Sequence, residues 1–298
     1  MIIYTLKNHP EMEKRITQYL GADEGGFDEG VFKNGEYYLK LRDAVAGKKA
    51  VVLAVIKNCQ DDIFKLLFLL NALKSNRASK VILMAPYFPY SRQDRVNEPG
   101  EPVSVELIAS ILSAAGADRI IALDIHNYKG LGKAKKFVKN ILCWDLMADF
   151  IARQIDSSWV VVAPDKGAKK RADYFAKSLK IKEVAYLKKI RPEPGRAEIK
   201  ELVGADVREK KALIVDDMID TGGTLIAAAN FLKERGARQI SAAATHGLFS
   251  DNALEKINLS IIKTVYITDT MPIDSRASGK LEIVEISGLI QDTLKKYV

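Results

Sequence analysis

The 298-residue sequence predicts an α/β protein with two similar domains, each built on a mainly parallel sheet flanked by helices. Three observations predict this class. Short apolar runs alternate with longer amphipathic segments along the whole chain, which is the pattern of parallel sheets with crossover helices. Several apolar runs stop at polar residues, as strands do at the ligand-binding edge of an open sheet. The chain is also long enough for two separate cores.

The composition predicts a globular protein that interacts with neither nucleic acid nor a membrane. Hydrophobic residues make up 48% of the chain, and its apolar runs are far shorter than a membrane span. The net charge is +8, but the basic residues are dispersed, so we favour a site for several phosphates over a nucleic-acid surface. Cys59 and Cys143 are too few for a disulfide framework, and no signal peptide is evident, so the expected location is the cytoplasm.

In the first half, the periodicity predicts strands and helices in alternation. Strands are expected at 1–6 (an edge strand), 36–41, 50–56, 80–85 and 119–123, and helices at 10–20, 61–74 and 103–115. An acidic, glycine-rich loop is expected at 21–30. The segment 86–102 is a long polar loop, and a loop of that length inside a compact domain usually serves function.

The second half repeats the alternation. Helices are expected at 146–154, 167–179, 225–234 and 291–296, and strands at 159–163, 184–187, 212–215, 239–245, near 265 and near 281. A basic loop is expected at 188–197. We place the domain boundary near Lys139, which gives domains of 1–139 and 140–280, with residues 281–298 packing back on the first domain.

The most informative stretch follows the apolar run 212–215. Two adjacent carboxylates, Asp216 and Asp217, are followed by Asp220 and then by the Thr-Gly-Gly-Thr turn 221–224, which leads into a helix. Glycine-rich turns at helix N-termini bind phosphate, while carboxylates suit sugar hydroxyls or hydrated Mg²⁺. An ordinary strand–helix connection is a poorer interpretation, because burying two acidic residues is costly without a partner.

Polar residues follow four other predicted strands, and for each of them a functional role and a structural or solvated role are both possible. Arg92 and Gln93 either bind phosphate or are solvated loop residues. His126 follows the strand 119–123, where it suits a metal or a phosphate. Asp165 is either a ligand or a helix N-cap. The basic loop 188–195 is either a solvated tip or a mobile lid. His246, which also follows a strand, fits a structural role as well as a functional one.

These residues carry a resemblance to a known family. The segment from Asp216 to Thr224 resembles the PRPP-binding loop of the type I phosphoribosyltransferase fold. Together the stretches resemble the ribose-phosphate diphosphokinase (PRPP synthetase) family over nearly the whole chain. The resemblance implies two phosphoribosyltransferase-like domains and transfer of the diphosphoryl group of ATP to O1 of ribose 5-phosphate. It also implies Mg²⁺ and a homodimer or hexamer, because the family's ATP site borrows a loop from a neighbouring subunit.

The resemblance also assigns roles to individual residues. It places ATP at Phe32, Asn34, Glu36, Arg92, Gln93 and His126, and metal at His126 and Asp165. The catalytic basic pair corresponds to Lys189 and Arg191. Ribose 5-phosphate corresponds to Asp216, Asp217, Asp220, Thr221, Gly222, Gly223 and Thr224.

The sequence departs from the family pattern at four places. Asn34 replaces an Asp, residues 127–130 replace a glutamine-rich stretch, residues 166–168 replace His-Gly-Gly, and Ile190 interrupts a basic run. Three other functions share some of these features. A PRPP-consuming transferase would not need the first domain, a non-catalytic relative could lose the acidic pair, and a PRPP-sensing nucleic-acid binder would need a DNA-binding module that is not evident.

Overall fold

The computed structural model describes residues 1–193, 196–273 and 279–297, and for 189–198 it describes no side chains. The chain divides into two compact units. The first contains Met1–Leu142 with Ser287–Val298, and the second contains Cys143–Ile286. Each unit has its own buried apolar cluster. The predicted α/β class with mainly parallel sheets is therefore confirmed.

The first unit is built on a fully parallel six-stranded sheet in the order β2-β1-β5-β6-β7-β8. A separate antiparallel hairpin, β3-β4, accompanies it. The strands are β1 (Ile2–Thr5), β2 (Asp23–Glu24), β3 (Phe27–Val31), β4 (Tyr37–Leu41), β5 (Lys49–Leu53), β6 (Lys80–Ala85), β7 (Arg119–Leu123) and β8 (Val138–Ile141).

Helices connect the parallel strands of the first unit, and a C-terminal helix packs back on it. They are α1 (Pro10–Leu20), α2 (Cys59–Ser75), α3 (Ser104–Ala115), a 3-10 helix (Tyr128–Lys136) and the C-terminal α8 (Ser287–Lys295). Asn58 caps α2 by accepting hydrogen bonds from the N–H groups of Gln60 and Asp61. α8 packs beside α1, and its Ile290 and Leu294 are fully buried.

The second unit has a seven-stranded sheet in the order β11-β10-β9-β12-β13-β14-β15, in which only the β10–β11 pair is antiparallel. Its strands are β9 (Trp159–Ala163), β10 (Glu183–Glu193), β11 (Arg196–Gly204), β12 (Lys211–Ile219), β13 (Gln239–Gly247), β14 (Thr264–Thr268) and β15 (Leu281–Val284). Its helices are α4 (Trp144–Ile151), α5 (Lys169–Ser178), α6 (Gly223–Glu234) and α7 (Ala253–Leu259).

Several predicted elements differ from the structure. The expected loop 21–30 contains β2 and most of β3, and β1 lies inside the sheet because the two-residue β2 takes the edge. The expected basic loop 188–197 is largely strand, because the backbone pairing of β10 with β11 continues through it. Residues 281–284 form β15 of the second sheet, so the returning segment begins at Ser287.

The burial of α8 generates a test of how the C-terminal segment contributes to stability. We expect Leu294→Ala to lower the free energy of unfolding by about 2–5 kcal/mol, because a fully buried leucine leaves a cavity. Lys296→Ala on the neighbouring exposed position is the control, and its effect should stay within about 0.5 kcal/mol. Urea unfolding measures both, and equal effects of the two substitutions would contradict the packing.

Candidate active site

The acidic pair lies inside the central strand of the second unit. β12 continues past the predicted end at Val215 to Ile219, and Asp216 stands opposite Ala244 of β13. The Asp217 side chain is buried, and that of Asp216 is 24% exposed. The Asp217 N–H donates to Oδ1 of Asp216 at 2.9 Å. The two carboxyl groups therefore form one compact acidic cluster at the ligand-binding edge of the sheet.

A single guanidinium contacts both carboxylates. Nη1 of Arg171 in α5 lies 3.6 Å from Oδ1 of Asp216 and 3.9 Å from Oδ1 of Asp217. The Arg171 side chain is only 11% exposed, and its guanidinium also lies over the ring of Trp144, 5.5 Å from the centroid. Arg171 thus brings a positive charge to the acidic pair.

The pair is electrostatically strained despite this cation. Burial raises the pKa of Asp216 to about 8, and the charge of Asp217 and a hydrogen bond between the two carboxyl groups act in the same direction. Arg171 lowers the pKa of Asp216, and Asp165 raises it. A site of this kind favours a ligand that adds positive charge or donates hydrogen bonds.

The turn after β12 presents backbone N–H groups at the start of α6. Gly222 is the N-cap of α6 and adopts φ 76°, a left-handed conformation that favours glycine. The first N–H groups of a helix have no intrahelical acceptor and attract anions. Thr221, Gly223 and Thr224 are exposed, so this turn is accessible to a phosphate. Asp220, directly before it, is half-buried.

Asp165 follows β9, and its Oδ1 accepts a hydrogen bond from the N–H of Ala168 at 3.1 Å. This bond precedes the first turn of α5, so Asp165 makes a cap-like contact. Its charge also acts on Asp216, as the raised pKa of Asp216 shows. Asp165 therefore combines a local structural contact with a place near the acidic cluster.

In the first unit, two tethers hold the loop that carries Arg92 and Gln93. Both of these side chains are exposed. The side-chain oxygen of Gln93 accepts a hydrogen bond from the hydroxyl of Ser104, at the start of α3. Asp94 accepts a hydrogen bond from the side-chain amide of Asn127 at 2.5 Å. These contacts give the Arg-Gln pair a defined position.

His126 is exposed just after β7. The backbone around it is fixed by hydrogen bonds from the N–H of Asp124 to the Ile141 carbonyl at 2.9 Å and from the N–H of Ile125 to the Asn140 side chain at 2.9 Å. Arg92, Gln93 and His126 thus follow two adjacent strands, β6 and β7, of one parallel sheet. The carboxyl ends of these strands lie at the same sheet edge.

The remaining predicted residues lie in hairpins. Phe32, Asn34 and Glu36 form the exposed turn between β3 and β4, where Oδ1 of Asn34 accepts from the N–H of Glu36 at 3.2 Å. The backbone of Lys189 and Arg191 lies in β10, but their side chains lie outside what the structure describes.

Comparisons with known proteins cover nearly the whole chain. Residues 1–116 match the N-terminal domain of ribose phosphate pyrophosphokinase, and residues 193–298 match the phosphoribosyl synthetase-associated domain. The ribose-phosphate pyrophosphokinase of Aquifex aeolicus is 35% identical over 96% of this chain and 92% of its own. That of Caldanaerobacter subterraneus is 34% identical over 98% of this chain and 93% of its own. The chain belongs to the ribose-phosphate pyrophosphokinase family.

A solved structure agrees with this membership. The phosphoribosylpyrophosphate synthetase from Mycobacterium smegmatis has a TM-score of 0.89 and 30% sequence identity, over 99% of this chain and 98% of its own. The resemblance recognised in the sequence is therefore confirmed, together with the two-domain fold that it implied.

The described residues show neither a preformed metal cluster nor a membrane-spanning helix. Residues 1–193, 196–273 and 279–297 contain no group of three or more His, Cys, Asp or Glu side chains arranged to hold a metal ion. Within the same residues, every helix is too short or too polar to cross a bilayer.

Arg171 is the residue at this family site that sequence reasoning missed. It stands third in the basic run Lys169-Lys170-Arg171, for which no role was predicted. Ala172, Phe175 and Ala176 of α5 are buried, and Arg171 lies one turn before Phe175 on that face. This periodicity was the available signal, but it did not reveal the partner of Arg171. His246, in contrast, is buried, with Nδ1 3.0 Å from Oγ1 of Thr270.

The left-handed N-cap generates a matched pair of glycine substitutions. We expect Gly222→Ala to lower the free energy of unfolding by about 1–2 kcal/mol, because a side chain at φ 76° is strained. Gly223→Ala should be neutral or slightly stabilising, because its φ is not positive and its new Cβ would meet Thr221 Oγ1 at an ordinary 3.7 Å. Urea unfolding distinguishes them, and equal costs would contradict the assigned backbone conformation.

The strained acidic pair predicts that a loss of charge stabilises the ligand-free protein. We expect Asp216→Asn to raise the melting temperature at pH 8. Each kcal/mol of relieved repulsion corresponds to a rise of about 2–4 °C. Because the pKa of Asp216 is raised to about 8, its contribution to stability falls as pH rises from about 4 towards 8. The gain should therefore shrink at pH 5. Calorimetry without Mg²⁺ or substrates measures it, and a lower melting temperature at pH 8 would contradict the repulsion.

Proposed function

We propose that this protein is a ribose-phosphate diphosphokinase, which converts ATP and ribose 5-phosphate into AMP and PRPP for nucleotide biosynthesis. The observation that carries the proposal is the β12–α6 segment, in which an acidic pair stands directly before an exposed Thr-Gly-Gly-Thr turn at a helix N-terminus. The membership of the chain in this enzyme family supports the same function.

Ribose 5-phosphate is assigned to the second domain, residues 140–280. Its phosphate would bind at the backbone N–H groups and hydroxyls of residues 221–224, where the N-terminus of α6 favours negative charge. Asp216, Asp217 and Asp220 would accept hydrogen bonds from the ribose hydroxyls. Accepting these bonds would satisfy carboxylates that are otherwise crowded.

ATP is assigned to the first domain, residues 1–139. Arg92, Gln93 and His126 would bind its phosphates, because they follow adjacent parallel strands and are exposed. Phe32, Asn34 and Glu36, on the exposed hairpin turn, would contact the adenine of a neighbouring subunit. This assignment requires an assembly of subunits, either a homodimer or a hexamer. We place the enzyme in the cytoplasm.

The transfer requires nucleophilic attack by the sugar and departure of AMP. The O1 oxygen of ribose 5-phosphate forms a bond to the β-phosphorus of ATP. The bond from that phosphorus to the oxygen bridging the α-phosphorus breaks, AMP leaves with the bridging oxygen, and the O1 proton passes to solvent. Lys189 and Arg191 would neutralise the charge that develops on the bridging oxygen.

A carboxylate oxygen is a ligand that Mg²⁺ prefers, and Mg²⁺ would supply charge neutralisation of the ATP phosphates when bound. Asp165 provides such a carboxylate next to an acidic cluster, and His126 is an exposed residue just after β7. Mg²⁺ commonly binds through one or two protein groups plus substrate phosphates and waters, so a preformed cluster of three ligands is not required. We assign a metal contact to His126 in the first unit and, separately, to Asp165 in the second unit.

The direct test is to incubate the purified protein with ATP, Mg²⁺ and ribose 5-phosphate and to quantify AMP and PRPP. We expect one AMP for each PRPP. Lys189→Ala should lower kcat at least about 100-fold, the usual cost of removing one group that stabilises transition-state charge. Folded wild-type protein that forms no PRPP would overturn the proposed function.

Lys188→Ala is the matched control for this experiment. Lys188 precedes Lys189 in the same strand, but its Nζ is paired with Oε2 of Glu201 at 2.9 Å and both side chains are exposed. Because exposed ion pairs contribute little, this variant should keep kcat within about threefold of wild type. Equal losses in both variants would indicate damage to the β10–β11 hairpin and would contradict a specific role of Lys189.

A further inference from the structure

Arg171 makes two contacts that together fix its guanidinium. It lies 3.6 Å from Asp216 and 3.9 Å from Asp217, and 5.5 Å from the centroid of the Trp144 ring. The residues come from α4, α5 and β12, three separate elements of the second unit. A planar cation that stacks on an aromatic ring is held in orientation as well as in position.

These contacts make Arg171 a poor device for stability. Both distances to the carboxylates exceed hydrogen-bond length, so the gain from charge-assisted hydrogen bonds is missing. Its buried Nε has no hydrogen-bond acceptor among the described residues. Burial of a cation with incomplete pairing costs free energy, and a well-packed apolar residue would serve stability better. Because the buried guanidinium of Arg171 costs free energy in the ligand-free protein, its position is better explained by a role in the site than by stability.

The geometry fits a role in orienting the carboxylates. Asp216 and Asp217 are consecutive strand residues, whose side chains normally point to opposite faces of a sheet. Here one nitrogen of Arg171 stands within 4 Å of a carboxylate oxygen from each of them. A cation placed between two like charges holds both groups together, and at this distance it does so without a short hydrogen bond that would compete with an incoming hydroxyl.

We propose that Arg171, fixed by Trp144, is a positioning residue that aligns Asp216 and Asp217 for the hydroxyls of ribose 5-phosphate. It acts through the two carboxylates and does not take part in the transfer itself. This inference rests on the proposed function, because it assumes that the acidic pair binds the ribose.

The kinetic test separates the two substrates. We expect Arg171→Met to raise KM for ribose 5-phosphate at least about tenfold while KM for ATP stays within about twofold, because only binding of the sugar depends on the pair. Arg171→Lys should restore part of the affinity, since it returns the charge without the planar stack. Equal changes in both KM values, or a fall in kcat alone, would overturn the assignment.

Lys177→Met is the matched control. Lys177 lies on the same helix, loses the same charge on substitution and is exposed in the last turn of α5. It should leave both KM values at their wild-type level. If it raised KM for ribose 5-phosphate as much as Arg171→Met does, the effect would come from the overall charge of α5, and the proposal would fail.

A second test needs no substrate and is therefore independent of the proposed function. Thermal unfolding is measured at pH 9, where Asp216 is ionised, for wild type, Arg171→Met, Asp216→Asn and the double variant. If Arg171 holds the two carboxylates together, Arg171→Met changes the melting temperature less favourably when Asp216 is present than in the Asp216→Asn background. Equal changes in the two backgrounds would show that Arg171 only packs on Trp144, and would overturn the proposal.

The two tests also distinguish failure of the inference from failure of the proposed function. Wild-type protein that makes no PRPP rejects the function, whereas the unfolding cycle still reports whether Arg171 and Asp216 are coupled. Wild-type protein that makes PRPP, with an unchanged KM for ribose 5-phosphate in Arg171→Met, rejects the positioning role and leaves the function standing.

Discussion

The candidate site of the second unit is organised around negative charge that is buried in the central strand. β12 is the fourth of seven strands, and Asp216 and Asp217 extend its pairing with β13 beyond the apolar run. Two adjacent carboxylates in such a place are costly unless a cation or a ligand accompanies them. Arg171 supplies part of that compensation, and the remaining strain, visible in the raised pKa of Asp216, is what a sugar or a cation would relieve.

The first unit arranges its polar residues by a different means. Its candidate ATP residues lie in loops and are fixed by polar tethers to neighbouring segments. The bond between Asn127 and Asp94 joins the segments that carry His126 and Arg92. The backbone of Gly130 packs closely against Asp94. A Cβ at position 130 would lie 2.7 Å from the Asp94 carbonyl oxygen, which is too close for any other residue. Two residues of the departure at 127–130, Asn127 and Gly130, thus have a local structural reason.

Much of the fold was predictable because its local patterns agree with its tertiary packing. The helix 10–20 and the strands 80–85, 119–123 and 159–163 were predicted with the observed bounds, since their periodicity and end signals are strong. The edge strand β2, the hairpin strand β3 and the outer part of β10 were not, because they are polar or mixed in sequence. Their strand conformation comes from pairing with a neighbouring strand, which local sequence does not display.

The sequence by itself determined the family, the sheet-based class and the segments that carry the candidate site, because motifs such as Asp216–Thr224 are local and keep their order along the chain. Only the tertiary structure decided which distant residues meet. The contact of Arg171 with the acidic pair spans 45 positions and depends on the packing of α5 against β12. Sequence periodicity indicates which face of a helix is buried, but the charge it meets there is set by how the elements pack.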